Sequence, residues 1–452
     1  VKAKGNLVQI LLLGVVLLQA VVSGAQPVTK IAGAYEHSLF LKSDGSLWAV
    51  GYNQYGQLGD GTYATGYPYS TNRPEQIVAS NVTVIAAGYY NSLFLKGDGS
   101  LWAMGYNHYG ELGDGTTSNT NRPEMIVASN VVAIAAGDEY SLFIKSDGSL
   151  WGMGRNDGGQ LGDGTTSNTN RPEQIVPSNV TAISAGGHSL FIKSDGSLWA
   201  MGDNPYGELG DGTTSNTNRP EMIVASGVTA ISAGGEHSLF IKSDGSLWAM
   251  GDNFYGELGD GTYDGGLGYT NRPEQIVPSN VTAIAAGASH SLFLKSDGSL
   301  WTMGFNQDGQ LGNAANNNIN RPGQIVTSNV TTIAAGWFHS LFLKSDGSLW
   351  AMGDNFYGQL GDGDGNYNNT NRPEQTLAAY NQITGQVLSG GNMQLSFVGI
   401  AIANYALDRS SSLSPPNWMP QVTNAATSWG ALVFTNTPDP TTNNFWRIRS
   451  VP

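Results

Sequence analysis

The phrase Ser-Leu-Trp returns seven times, with its tryptophan at positions 48, 102, 151, 199, 248, 301 and 350, so that successive copies lie 48 to 54 residues apart. A period of this size means a chain of like units, each unable to bury its apolar face alone. One copy opens with Val-Thr-Ala-Ile-Ala-Ala-Gly at Val281. It continues through His-Ser-Leu-Phe-Leu-Lys-Ser-Asp-Gly-Ser-Leu-Trp and Gly-Phe-Asn-Gln-Asp-Gly-Gln-Leu-Gly. A linker holding Asn-Arg-Pro follows, then a short apolar run at Gln324-Ile325-Val326.

Each piece has a local reading. The opening run of small and β-branched residues is a strand suited to the narrow end of a wedge. The apolar runs on either side of Ser-Asp-Gly are the arms of a hairpin, and Asp-Gly predicts a type I′ turn in all seven copies, from Asp44-Gly45 to Asp346-Gly347. The proline of Asn-Arg-Pro is read as ending a loop and starting the outer strand, where a missing N–H is tolerated. Four strands per unit of about fifty residues make one blade. The fold class is therefore all-β: a seven-bladed β-propeller over residues 26–380, followed by a small β-sandwich-like module over 384–452. Ring closure is expected to come from residues 373–377 joining the sheet begun near Val28 and Ile31, which would remove the open edges.

The two ends differ from the repeat. Residues 1–25 carry Lys2 and Lys4, an apolar run over 7–22, and Ser23-Gly24-Ala25, the layout of a secretory signal peptide. An uncleaved anchor is the alternative. The run is near the lower limit for a span, and its small-residue exit favours cleavage. No other segment reads as a membrane span, so a secreted or extracytoplasmic location is expected. The tail reads as short strands at residues 394–398, 404–408, 431–435 and 445–449.

A net charge of −14 repels phosphate backbones and argues against nucleic acid as a partner. The chain has no cysteine, which removes disulfides, thiolate nucleophiles and Cys-ligated metals.

The motifs Gly-x-Asn-x-Tyr-Gly-Glu-Leu-Gly-Asp-Gly-Thr and Ala-Gly-x-x-His-Ser-Leu resemble the regulator of chromosome condensation repeat in its bacterial, secreted form, over about residues 28 to 378. The resemblance implies a seven-bladed propeller. It also implies binding as the mode of action, since family members include nucleotide-exchange factors, a plant ultraviolet photoreceptor and a secreted inhibitor of β-lactamase. The tail resembles small all-β modules that end many secreted bacterial proteins.

Residues that could carry chemistry read better as structure. His37, His188, His237, His290 and His339 share one repeat position, which Asn91 and Tyr140 fill in the other copies. One histidine per blade does not converge on a metal, and these are read as orienting the turn after Ala-Gly. The aspartates of Gly-Asp-Gly-Thr, such as Asp60 and Asp114, are read as Asx turns. Asp362-Gly-Asp364-Gly-Asn366 begins like a calcium loop, but Pro373 occupies the twelfth position where a bidentate carboxylate is needed. The repeated tryptophans are read as core, and the Asn-Val-Thr sequons at Asn81, Asn179, Asn280 and Asn329 as turns between blades. No cofactor, metal or catalytic residue is expected.

Near-identical repeats supply an internal control: a position that varies is free of duty to the blade. Two slots vary most. One precedes the histidine position and holds Tyr35-Glu36, Tyr89-Tyr90, Asp138-Glu139, Gly187, Gly235-Glu236, Ala288-Ser289 and Trp337-Phe338. The other follows the tryptophan strand and holds Tyr52, Tyr106 with His108, Arg155 with Asp157, Asp203, Phe254, Phe305 and Phe356. Both are turn positions where burial is not expected, yet they are rich in rings and acids, the residues of interface hot spots. The candidate binding residues are Trp337, Phe338, Tyr35, Glu36, Tyr89, Tyr90, Tyr106, His108, Phe254 and Phe356, forming a lopsided aromatic and acidic patch on one face. The first reading is a non-catalytic propeller that binds a protein. A cell-surface adhesin that binds glycan is the alternative, and an enzyme using channel-facing acids the third.

Overall fold

The computed structural model describes residues 26–66, 70–263, 268–363 and 367–377, and six strands beyond residue 383. The signal-peptide segment, residues 1–25, lies outside the described residues. The chain divides into two units, one of them Gln26–Gln382.

That unit contains seven four-stranded antiparallel sheets. Blade one runs Val28–Gly33, His37–Lys42, Leu47–Tyr52 and Ser70–Val78, ordered from inside to outside. Blade seven runs Val330–Ala335, His339–Lys344, Leu349–Gly353 and Thr370–Leu377 in the same order. The ring therefore closes differently from the sequence expectation. The final strand pairs with Leu349–Gly353 of its own blade, and no strand is exchanged with blade one. The repeat is in phase with the blade, so each copy builds a whole sheet and closure falls to packing and polar contacts between whole sheets. Phe40, Ile31 and Val50 of blade one meet Leu341, Leu343, Leu349 and Leu360 of blade seven in one buried cluster.

The hairpins also differ from expectation. Only the glycine takes positive φ, +77° at Gly45, while Gly45 N–H donates to Lys42 O and Lys42 N–H to Ser46 O. This is a type I turn closed by a glycine bulge, a three-residue loop. The Asp44 carboxylate accepts the Ser46 N–H at 2.9 Å, which favours the right-handed turn over type I′. Asn-Arg-Pro lies inside the outer strand, not before it. The register jumps from Gly51↔Thr71 to Ala49↔Glu75, so the proline occupies a bulge on an edge strand. The sequon asparagines take φ near +70°, as turns between blades should.

Each interblade seam has a buried polar clamp. His37 bonds Ser92 of the next blade at 2.8 Å, His188 bonds Ser238, His237 bonds Ser291, His290 bonds Ser340, and His339 returns to Ser38 at 2.9 Å. Asn91 and Tyr140 make the equivalent bonds to Ser141 and Ser189. The histidines thus bridge blades, beyond orienting their own turn. The imidazole also explains the preceding Ala-Gly: a Cβ on Gly287 would come within 2.2 Å of His290. Each tryptophan is half-buried, where a core position was expected. Trp102 stacks on Phe94 at 6.1 Å, and the Lys96 ammonium lies 3.9 Å from its ring. The lysine stem covers the edge that the widening blade leaves exposed.

Beyond residue 383 the strands form two three-stranded antiparallel sheets, Thr384–Val387 with Met393–Val398 and Ala431–Asn436, and Met419–Ala425 with Asn404–Ser410 and Phe445–Val451. Two of these strands, the first and the fourth in sequence, were not legible in the residue pattern.

Candidate functional site: an aromatic and acidic face

Antiparallel order places both variable slots at the same end of every blade. The first joins the inner two strands and the second joins the outer two, so the seven hairpins lie at the opposite end. The slots touch directly: Tyr52 N–H donates to Glu36 O at 2.9 Å, and Asp354 N–H to Phe338 O at 2.8 Å.

The rings of the two slots form one connected network. Tyr35 stacks on Tyr89 with centroids 4.2 Å apart and meets Tyr90, Trp337 and Phe338 edge-on. Tyr90 reaches Tyr52, Tyr55 and Tyr106, and Tyr106 reaches His108. On the other side Phe338 meets Phe305, which leads through Tyr255 to Phe254. Phe356 joins through Tyr357 and Tyr52. All nine candidate rings belong to this crescent, which thins out at blades three and four, where Arg155, Asp157 and Gly187 replace rings.

Burial departs from expectation. Tyr35, Tyr89, Tyr90, Trp337 and Phe338 are half-buried and Tyr52 is buried, while Phe254 and Phe356 are 58% and 45% exposed. Seven inner loops converge near the axis, so their rings cover one another. In the outer slot the exposed rings are those after the asparagine, Phe254 and Phe356, which meet Tyr255 and Tyr357 edge-on. The tyrosine of Gly-x-Asn-x-Tyr-Gly was missed as a site residue because Tyr55, Tyr109, Tyr255 and Tyr357 repeat and so read as serving the blade. The signal available was a ring next to a turn glycine, a position that does not lead into a core.

The central channel opens on this face. Its cavity, about 60 Å³, is lined by the Ala-Gly pairs of the blades, with Asp138 the one acid among the described lining residues. Trp337 of blade seven and Asp138 of blade three both line this mouth. Burial, with Glu139 beside it, pushes the Asp138 carboxyl up to about 7. Burial and Asp354 raise Glu36 to about 8, and burial raises Glu111 to about 7. Arg155 pairs with Asp157 at 2.7 Å and with Glu139 at 3.4 Å.

The face has no apparatus for nucleophilic attack at its His–Ser pairs. Ser340 is fully buried and donates its proton to Gln310 O, which leaves it to accept from His290. Among the described residues no group of three or more acids or histidines is disposed to hold a metal ion, and residues 364–366 of the calcium-like loop lie outside them. No helix of the described residues is long and apolar enough to cross a membrane.

Fold and face together define a closed propeller whose architecture is compatible with binding other proteins through one end. A model of the RCC1-like domain matches residues 15–224 and 179–398, and the chain belongs to that family. Two segments of curated relatives are similar: 36% identity over 94 residues to the X-linked retinitis pigmentosa GTPase regulator homolog of Caenorhabditis elegans, and 27% over 93 residues to the ultraviolet-B receptor UVR8 of Arabidopsis thaliana. These matches cover 20% and 21% of this chain but only 6% and 21% of the relatives' own lengths. Among solved structures, human WBSCR16 superposes with a TM-score of 0.65 at 21% identity, covering 75% of this chain and 96% of that one. Prp20p of Saccharomyces cerevisiae, described for its binding to Gsp1p and histones, gives 0.66 at 21% identity, covering 78% and 88%. At this identity the likeness concerns the fold.

Proposed function

We propose that this protein is a non-catalytic, extracytoplasmic binding propeller that docks a protein partner on its aromatic face. The observation that carries the reading is the continuous crescent of rings, built mainly from positions the repeat leaves free and linked by the recurring Tyr55, Tyr255 and Tyr357, with Phe254 and Phe356 exposed at its rim. Large rings on a rigid frame lose little entropy on binding, which makes them effective anchors. Prp20p's binding to proteins supports the class of partner by analogy alone. An extracytoplasmic location rests on the leader-like first 25 residues.

The propeller (residues 26–382) serves as bait beside a Trp337→Ala/Phe338→Ala variant, with extract and culture medium of the source organism. We expect the first to enrich a protein that the variant loses, with an affinity drop of about a hundredfold, as for a pair of central hot-spot residues. Equal behaviour of the two baits, or retention of polysaccharide alone, would overturn the reading. Matching far-ultraviolet circular dichroism of the two baits shows that the loss is not unfolding.

A further inference from the structure

The two slots, counting the residues on each side of the invariant asparagine in the second, hold eight carboxylates and one guanidinium, that of Arg155. Arg155 is already engaged by Asp157 and Glu139. The repeat's lysines are at the far end of the second strands, laid over tryptophans. The face therefore gathers negative charge among rings and keeps its own cations elsewhere.

Two places along the crescent bring carboxylates against rings. Glu36 follows Tyr35, whose ring meets Tyr90 at 5.4 Å and Phe338 at 5.9 Å; Asp354 N–H donates to Phe338 O in the neighbouring blade, and Glu36 has no ion pair among the described residues. The second place is around Tyr106, whose ring meets Tyr55 and Tyr90, with Glu111 bonded to the backbone of Tyr109 three residues on. Glu111 is 1% exposed; its Oε2 accepts the Tyr109 N–H at 2.9 Å, and its Oε1 has no partner. In blade seven the equivalent Gln359 turns its free end to Asp354, the residue that opens the second slot, at 2.8 Å. In blade two that residue is Tyr106. A buried carboxylate oxygen thus underlies the crescent without a donor.

Tyrosine faces attract cations, and a planar guanidinium satisfies ring and carboxylate together. Like charges held close in the free protein also repel, and an arriving cation relieves that cost. We propose that the crescent between Glu36 and Glu139 receives an arginine-bearing loop of the protein partner, the guanidinium laid on the tyrosine rings and paired with carboxylates at its edge. This deepens the docking reading and rests on it.

The test uses decapeptides of alternating residues as probes: Arg-Gly, with Glu-Gly and Leu-Gly as controls, titrated against the propeller while tryptophan emission is followed. The Arg-Gly peptide should bind and the controls should not. Its affinity should fall at least about tenfold in a Glu36→Gln/Asp354→Asn variant, and fall again when salt is raised from low to physiological. Glu36→Gln removes a repulsion, whereas Asp354→Asn gives up one of two accepted hydrogen bonds, so matching far-ultraviolet circular dichroism and a midpoint well above the assay temperature show that unfolding does not account for the loss. Arg-Gly binding that equals Leu-Gly binding, or that ignores both substitutions and salt, overturns the inference. So does a salt-independent response to neutral oligosaccharides in place of the arginine peptide. If Trp337→Ala/Phe338→Ala loses the captured partner while Glu36→Gln/Asp354→Asn keeps it, docking stands and the basic partner falls; if neither variant loses it, docking itself has failed.

Discussion

Between pH 4.5 and pH 3 the propeller should unfold. Five fully buried histidines hold the interblade clamps, and burial lowers His37, His188, His290 and His339 to about 3 and His237 to about 4, against an ordinary 6.5. In that range the unfolded chain binds protons that the folded chain refuses, so the stability these histidines lend is intact above pH 6.5 and is lost progressively as pH falls toward 3. Each pH unit costs about 1.4 kcal/mol per histidine, and five together about 7 kcal/mol, comparable to the whole stability of a typical domain. Carboxyls act with the opposite sign over a different window. Glu36, Glu111, Glu208 and Asp138 are raised to about 7 or 8, chiefly by burial, so the glutamates add stability as pH falls from 8 toward 4.5 and Asp138 as it falls toward 3.8, with nothing further below those values. The hairpin aspartates, lowered by their serine hydrogen bonds, lose stability on the acid side as well. Thermal midpoints taken stepwise should rise modestly from pH 8 to 6.5, where only the carboxyls titrate, and collapse below 4.5. A His237→Asn variant, which copies the asparagine that blade two uses at the same position, should lose about one-fifth of the acid slope. A midpoint that stays flat from 4.5 to 3 would contradict the buried, neutral histidine clamp.

Phe40→Ala should weaken the ring at one place more than anywhere else. Phe40 fills the cluster between blade one and blade seven, and its removal should cost about 3–5 kcal/mol through lost transfer energy and the cavity left behind. Phe240 holds the equivalent position in the cluster between blades four and five, so Phe240→Ala should cost about the same in global stability. The two differ in what happens next. Blades four and five are joined by the short link between Val224 and Val228, which holds the faces at high effective concentration when packing loosens. Blades one and seven have no such link and no shared strand, because each sheet is made of one contiguous copy. Hydrogen exchange should therefore accelerate across Val28–Gly33 and Val330–Ala335 together in Phe40→Ala, by far more than across the blade four and five strands in Phe240→Ala. Equal local effects in the two variants would mean that packing alone makes the seam as tight as the linked interfaces.

The candidate site was legible to the extent that it broke the repeat. Tyr35, Tyr89, Tyr90, Trp337 and Phe338 stood out because the same slot holds glycine or alanine in other copies, and all five meet in one cluster. Tyr55 and Tyr357 did not stand out, because they recur, although they link Tyr106 and Phe356 to the rest. Repetition shows that a residue suits the blade; it does not exclude a second use at a face.

The sequence by itself determined the number of blades, the four-stranded unit and the end of each blade where variation collects. These follow from local patterns of apolar runs, turn glycines and asparagines, and from a period that needs no long-range information. Tertiary structure decided how the ring closes, which turn type the hairpins take and which blade each histidine serves. It also decided whether the slot rings point outward or onto one another. Each of these depends on neighbours some fifty residues or more away, or on small differences between nearly equal backbone geometries. The coincidence of repeat and blade, each copy making one whole sheet, settles closure, and the crowding of seven loops around one axis settles the rings.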